Sequence, residues 1–211
     1  LTRQNRVSPT GEIVALEERG TLTGNRGCLH DGQGRLGVSR WRHPHWISCE
    51  LSWQGSRRPI MAPNRWTELF FLDEAVALAA GHRPCALCRR SDWLAFRAAW
   101  ADAFGTLPAA PEIDRILHAA RVDSRSRRQL LHEADAQELP EGTFILHGGT
   151  PALVTGSGLR PWRPGGYGPA LPVPRERATV LTPRPMVAVL TAGYRPRLHS
   201  SALVAAPPDP S

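Results

Sequence analysis

The segment Ala77-Leu78-Ala79-Ala80-Gly81-His82-Arg83-Pro84-Cys85-Ala86-Leu87-Cys88 carries the densest run of structural signals in the chain. Just upstream, Leu69 to Leu72 is a short apolar run, and Asp73 offers an acceptor to the first free amides of a helix over Glu74 to Ala80. Gly81 tolerates the left-handed backbone that a C-terminal cap requires. Just downstream, Ser91 opens a second helix that Gly105 ends. Trp93, Phe96, Trp100 and Phe104 recur along it every three or four residues, the spacing of a buried stripe. The C-x-x-C is therefore held between two capped helices.

Two thiolates on a tight turn can share one tetrahedral metal ion, and zinc is the usual occupant when the remaining ligands are Cys or His. A C-x-x-C also fits a thioredoxin-like redox centre, but that motif follows a strand in a βαβ unit, a context this chain lacks. Four cysteines with uneven spacing do not make a disulfide framework at this length; they suggest a metal site closed by distant segments. From Ile47 to Trp53 the residues alternate strictly, with Ile47, Cys49, Leu51 and Trp53 expected to face inward and Ser48, Glu50 and Ser52 outward. Cys49 is thus the expected third ligand, although a small buried residue would suit the same place. The glycine-rich stretch Gly24-Asn25-Arg26-Gly27-Cys28-Leu29-His30-Asp31 offers the fourth, as Cys28 or alternatively His30.

The twelve residues quoted above resemble the second half of the zinc-binding module at the N-terminus of the Ada DNA-repair family, with its A-L-A-A-G-x-R-P-C-x-x-C signature. Including the less similar first half, the resemblance spans roughly residues 12 to 100. It implies a DNA-contacting fold with a structural zinc held by Cys85 and Cys88. The family spaces its other two cysteines as C-x-x-x-C, one of them the acceptor of a methyl group from a phosphotriester. Cys28 and Cys49 do not follow that spacing. Residues 105 to 211 match nothing in the family.

Residues 1 to 10 read as a polar lead-in, Ile13 to Leu16 as a strand, and Gly20 to Gly37 as turns. Pro108 and Pro111 mark a linker. Beyond it the sequence predicts helices over Glu112–Val122 and Ser124–Leu139, then short strands at Thr143–Leu146, Ala152–Thr155, Ala178–Leu181 and Met186–Leu190. The expected fold is α+β: a zinc-stabilised module over residues 11–104, then a helical linker and β-rich section over 105–211.

The chain has 211 residues and a formal charge of +7, and all 26 of its basic residues are arginine. Arginine binds phosphate with two donors and stacks on rings, so DNA, single- or double-stranded, is the expected partner. Coding bias towards Arg, Ala, Gly and Pro also yields such an imbalance. No apolar run approaches 18 residues and no signal-peptide layout opens the chain, which predicts a cytoplasmic protein without a membrane partner. Arg26 lies in a glycine loop suited to phosphate. Arg40, Trp41, Arg42 and Trp46 interleave charge with rings, as phosphate contact plus base stacking requires, or as a loop anchored by its tryptophans would. Arg57, Arg58, Arg65, Arg89 and Arg90 extend the basic stretch. Tyr167, Tyr194 and Arg195 stand on Gly/Pro bends that can clamp a base, or that the rings simply staple down.

For catalysis the candidates are His30 with Asp31, and Asp114 with His118 at i and i+4, where a carboxylate can orient an imidazole or form an ordinary surface pair. The leading expectation is a zinc-containing DNA-binding protein acting in recognition or repair of damaged or modified DNA. The alternative is a nuclease or base-removing glycosylase with a structural zinc. An interaction module with a structural zinc is the third reading.

Overall fold

The computed structural model describes residues 2–55, 60–62 and 65–204. Among the described residues two six-stranded sheets and four α-helices form an α+β arrangement. The first sheet comprises β1 (Gln4–Val7), β2 (Ile13–Ala15), β3 (Leu22–Asn25), β4 (Ile47–Glu50), β5 (Leu69–Phe71) and β6 (Arg83–Pro84), in the order β2-β1-β5-β3-β4-β6. The pairs β1/β5 and β4/β6 are parallel and the others antiparallel. Between β5 and β6 runs α1 (Glu74–Ala79), capped as expected by Asp73, whose side chain accepts from the Val76 amide at 3.0 Å. Gly81 follows with φ of +84°. A Cβ there would stand 2.4 Å from Cδ of Arg121, so glycine also makes room for that arginine.

Helices α2 (Arg90–Phe104) and α3 (Ala110–Arg121) follow, with Gly105 closing α2 in the left-handed region. The second sheet holds β7 (His132–Asp135), β8 (Phe144–His147), β9 (Thr150–Thr155), β10 (Gly158–Arg163), β11 (Gly166–Tyr167) and β12 (Arg177–Val180), all antiparallel in the order β11-β10-β9-β8-β12-β7. Helix α4 (Arg184–Thr191) then packs against α2 and α3.

Several expectations give way. Gln4–Val7 and Leu22–Asn25 are strands, where a lead-in and turns were expected. Gly24 sits inside β3 because a Cβ there would lie 2.3 Å from the Ile47 carbonyl oxygen. Ser124–Leu139 is not a helix: the Asp123 carboxylate captures the amides of Arg125 and Ser126, and the chain turns through Arg127 at φ +58° before entering β7. Met186–Leu190 lies in α4, not a strand, because Pro183 and Pro185 pre-set the first helical turn. The strand at 47 ends at Glu50 and its faces are reversed. Ser48 is fully buried, whereas Leu51 is 51% exposed.

The core does not break at residue 105. Val7, Leu22, Leu69 and Phe71 of the first sheet pack with Phe144, Leu153 and Leu181 of the second part in one cluster. The α2 stripe Trp93, Phe96 and Trp100 meets Ile113, Leu117, Met186 and Leu190 in another, while Phe104 stays exposed. In β8 and β9 alternate residues serve opposite faces: Phe144 and Leu153 join the first cluster, Ile145 and Val154 a third.

Polar groups fasten the parts together at Asp73 and Glu74. Asp73 accepts from the Tyr167 hydroxyl at 2.8 Å and the His199 amide at 2.9 Å. Glu74 accepts from the Tyr194 hydroxyl at 2.6 Å, the Arg197 amide at 2.9 Å and the Arg89 guanidinium at 2.7 Å. Every one of these groups satisfies a buried carboxylate that would otherwise be costly.

Candidate metal centre and arginine cleft

The thiols of Cys49, Cys85 and Cys88 lie within 4.8 Å of one another, close enough to hold a metal ion together. Three elements bring them there. Ser48, turned inward, accepts from Arg89 Nη1 at 2.8 Å and places Cys49 on the other face of β4. The Cys85 amide donates to the Ser48 carbonyl at 2.9 Å, docking the turn on β4. The turn closes where the Arg89 amide donates to the Cys85 carbonyl at 3.2 Å and α2 begins.

The amide of Leu87 donates to Cys85 Sγ at 3.4 Å, an interaction that stabilises a thiolate. The Cys49 thiol donates to the same sulfur, and together they hold the Cys85 thiol down at about 5. The same partnership pushes Cys49 up, while burial raises Cys88. In a tetrahedral zinc site with bonds of ~2.3 Å, sulfurs stand ~3.8 Å apart, so this triad fits such an ion.

Neither expected fourth ligand joins it. The Cys28 thiol faces the His30 carbonyl oxygen at 3.7 Å, and the His30 ring lies 2.6 Å from the Thr67 hydroxyl and 3.3 Å from the Ala62 carbonyl oxygen. Among the described residues no other Cys, His or carboxylate completes the group.

The proposed catalytic pairs are also separated. Asp31 ties a turn through the amides of Gln33 and Arg35 and pairs with the Arg35 side chain at 2.9 Å, away from the His30 ring's partners. Asp114 is buried and accepts two bonds from Arg83, at 2.7 and 2.9 Å, with His45 Nδ1 at 2.8 Å. His118 instead accepts from Arg121 Nη2 at 2.9 Å.

Of the expected nucleic-acid contacts, Arg89 is buried and consumed by Glu74 at 2.7 Å and Asp92 at 2.6 Å. Tyr167 and Tyr194 are buried anchors of Asp73 and Glu74, not clamps. Trp46 is buried as well. Arg42, Arg65, Arg90 and Arg195 are exposed, and Arg57 and Arg58 lie outside the described residues.

Arg26 does not sit in an open phosphate loop; it is buried at the wall of a cleft of about 610 Å³. Arg121, which the sequence did not single out, lines the same cleft. Both guanidinium carbons lie over the Trp46 ring, at 4.1 and 3.8 Å from its centre. Arg26 donates to the Gly11 carbonyl at 3.0 Å and to His82 Nε2 at 3.4 Å. Arg121 donates to the carbonyls of Gly81 and Pro44, each at 2.6 Å. Arg40, Trp41, Arg127 and Arg128 also line the cleft. Burial, helped by the charge of Arg40, pulls Arg26 down to about 9, and burial with the charge of Arg26 lowers Arg121.

Burial and the same two arginines hold His82 well below its ordinary value. Burial, then Arg121 and His43, bring His118 to about 4. Between pH 6.5 and 4 the unfolded chain thus binds protons that the folded chain refuses, so stability falls as pH falls through this window. Thermal melts at pH 7.5 and 5 in constant salt should show a lower midpoint at pH 5, and His118→Gln should shrink that difference. An unchanged difference would remove His118 from this account.

No protein family, curated protein or solved structure matches this chain. Among the described residues no helix is long and apolar enough to cross a membrane.

Proposed function

We propose that this chain is a zinc-containing DNA-binding protein acting in recognition or repair of damaged or modified DNA. The observation that carries the reading is the thiol triad: Cys85 and Cys88, in the segment resembling the Ada zinc module, meet Cys49 from a strand 36 residues earlier. Cys49, Cys85 and Cys88 would hold the zinc, which would tie β4 to the start of α2. The net charge of +7 supports a polyanionic partner. So do Arg42, Arg65, Arg90 and Arg195, which leave exposed side chains available for phosphates.

Two measurements test this. Elemental analysis of purified protein should give about one zinc per chain. Shift assays with labelled single- and double-stranded DNA should show affinity falling about a hundredfold between 50 and 200 mM salt, as expected for roughly four phosphate contacts. Absence of binding at low salt would overturn the reading. A second reading, an enzyme that processes nucleic acid, draws support from the cleft, whose volume lies within the ~300–1,000 Å³ of small-molecule sites. Strand scission or base release from DNA carrying uracil, alkylated bases or nicks would favour it.

A further inference from the structure

Arg26 and Arg121 are 2% and 1% exposed, and among the described residues neither has a carboxylate within ion-pairing distance. Among the described residues Arg26 Nη2 and Arg121 Nε find no hydrogen-bond partner, and neither does the nearby Gln129 Oε1. Buried charges in proteins are paired, because an unpaired one forfeits its hydration without compensation. Every other buried arginine with a carboxylate in reach uses it: Arg83 takes Asp114 and Arg89 takes Glu74. Arg160, 3% exposed, also lacks a carboxylate, but it donates to the Gly168 and Val204 carbonyls and lies outside the cleft; the pair over Trp46 differs in opening on it. Arg40, Arg127 and Arg128 add charge of the same sign there, and the single acid in the lining, Glu12, is exposed. Asp114, held by Arg83, exerts a favourable charge on Arg121 without pairing with it; an anionic ligand would supply the direct counter-charge that the two arginines lack.

The cleft says what else that ligand carries. Its volume of about 610 Å³ far exceeds what a bare phosphate fills. Beside the arginines stands the half-buried Trp41 ring, which packs edge-on against His118 with 5.6 Å between centres. Ile13, Leu131 and Leu146 supply an apolar wall. A planar base beside Trp41 would add the stacking that aromatic platforms give to nucleotides.

We infer that this cleft binds a phosphorylated nucleotide, its phosphate facing Arg26, Arg121 and Arg128 and its base lying against Trp41. The inference rests in part on the nucleic-acid reading above, since the nucleotide can be free or the phosphorylated end of a strand.

The test titrates the full chain with deoxyadenosine monophosphate, deoxyadenosine and inorganic phosphate, following tryptophan fluorescence and the melting midpoint. The monophosphate should raise the midpoint and bind at least about tenfold more tightly than phosphate, with no binding by the nucleoside. Arg128→Glu, at an exposed position, should weaken the monophosphate about 10- to 100-fold while leaving the unliganded midpoint in place. Arg26→Met should abolish the ligand-induced rise; if it does not fold, Arg128→Glu alone decides. Trp41→Leu should reduce the monophosphate to the affinity of phosphate.

No rise with millimolar monophosphate, or equal binding by Arg128→Glu, would overturn the assignment. Equal affinity for phosphate and monophosphate in the unaltered chain would overturn the base site. Competition by a 5′-phosphorylated oligonucleotide, but not by its dephosphorylated form, would assign the ligand to a strand end; its absence beside monophosphate binding would assign a free nucleotide. Oligonucleotide binding without any monophosphate effect sinks the cleft and leaves the DNA reading. Monophosphate binding by a chain that holds no oligonucleotide does the reverse.

Discussion

Replacing Cys85 with serine should lower the melting midpoint by about 10–20 °C. Cys85 belongs to the triad that joins β4 to the turn before α2, and its sulfur already receives the Leu87 amide. Structural zinc contributes ~10–16 kcal/mol to small peptides that have no other core. Here the sheets and helices supply their own cores, so a contribution of about 5 kcal/mol is expected, at ~2–4 °C per kcal/mol for a chain of this size. The diagnostic is non-additivity: a chelator should bring the unaltered protein down to the midpoint of Cys85→Ser and leave that variant where it is. Calorimetry with and without chelator reads both. A midpoint indifferent to chelation would reduce the triad to three packed thiols.

Asp114→Ala should cost about 3–5 kcal/mol, roughly 6–20 °C, because it leaves the buried Arg83 guanidinium without its two carboxylate bonds. The loss belongs to stability and not to chemistry, since Asp114 is buried behind Arg83 and His45 and does not touch His118. Replacing both partners, Arg83→Met with Asp114→Leu, should recover much of the loss by removing the stranded charge. Denaturant unfolding of the two single variants and the double gives the coupling energy. A double variant as unstable as the sum of the singles would mean the pair is not the source.

What could be read from the sequence was local. Asp73 before Glu74, Gly81 and Gly105 are caps whose chemistry involves residues within a turn or so, and all three act in the structure as their positions imply. The nearness of Cys49 to Cys85 and Cys88 was also legible, because metal-ligand chemistry limits the partners a C-x-x-C can have. Alternation at 47–53 announced a strand but not which face is buried; the need of Arg89 for the Ser48 hydroxyl, 41 residues away, decides that. The segment after Asp123 has helical composition, yet one carboxylate turns it aside. The cleft was least legible. Arg26 and Arg121 stand 95 positions apart and meet only because Trp46 lies under both.

The fastening at Asp73 and Glu74 also gives the chain a timetable. Glu74 is made 123 residues before the Arg197 amide that it accepts, and Asp73 precedes the His199 amide by 126. At ~5–20 residues per second, a ribosome needs roughly 6–25 s to deliver those partners. Through that interval Asp73 has the Val76 amide and Glu74 has Arg89, but the bonds from residues 197 and 199 that complete both carboxylates wait until the far end of the polypeptide emerges.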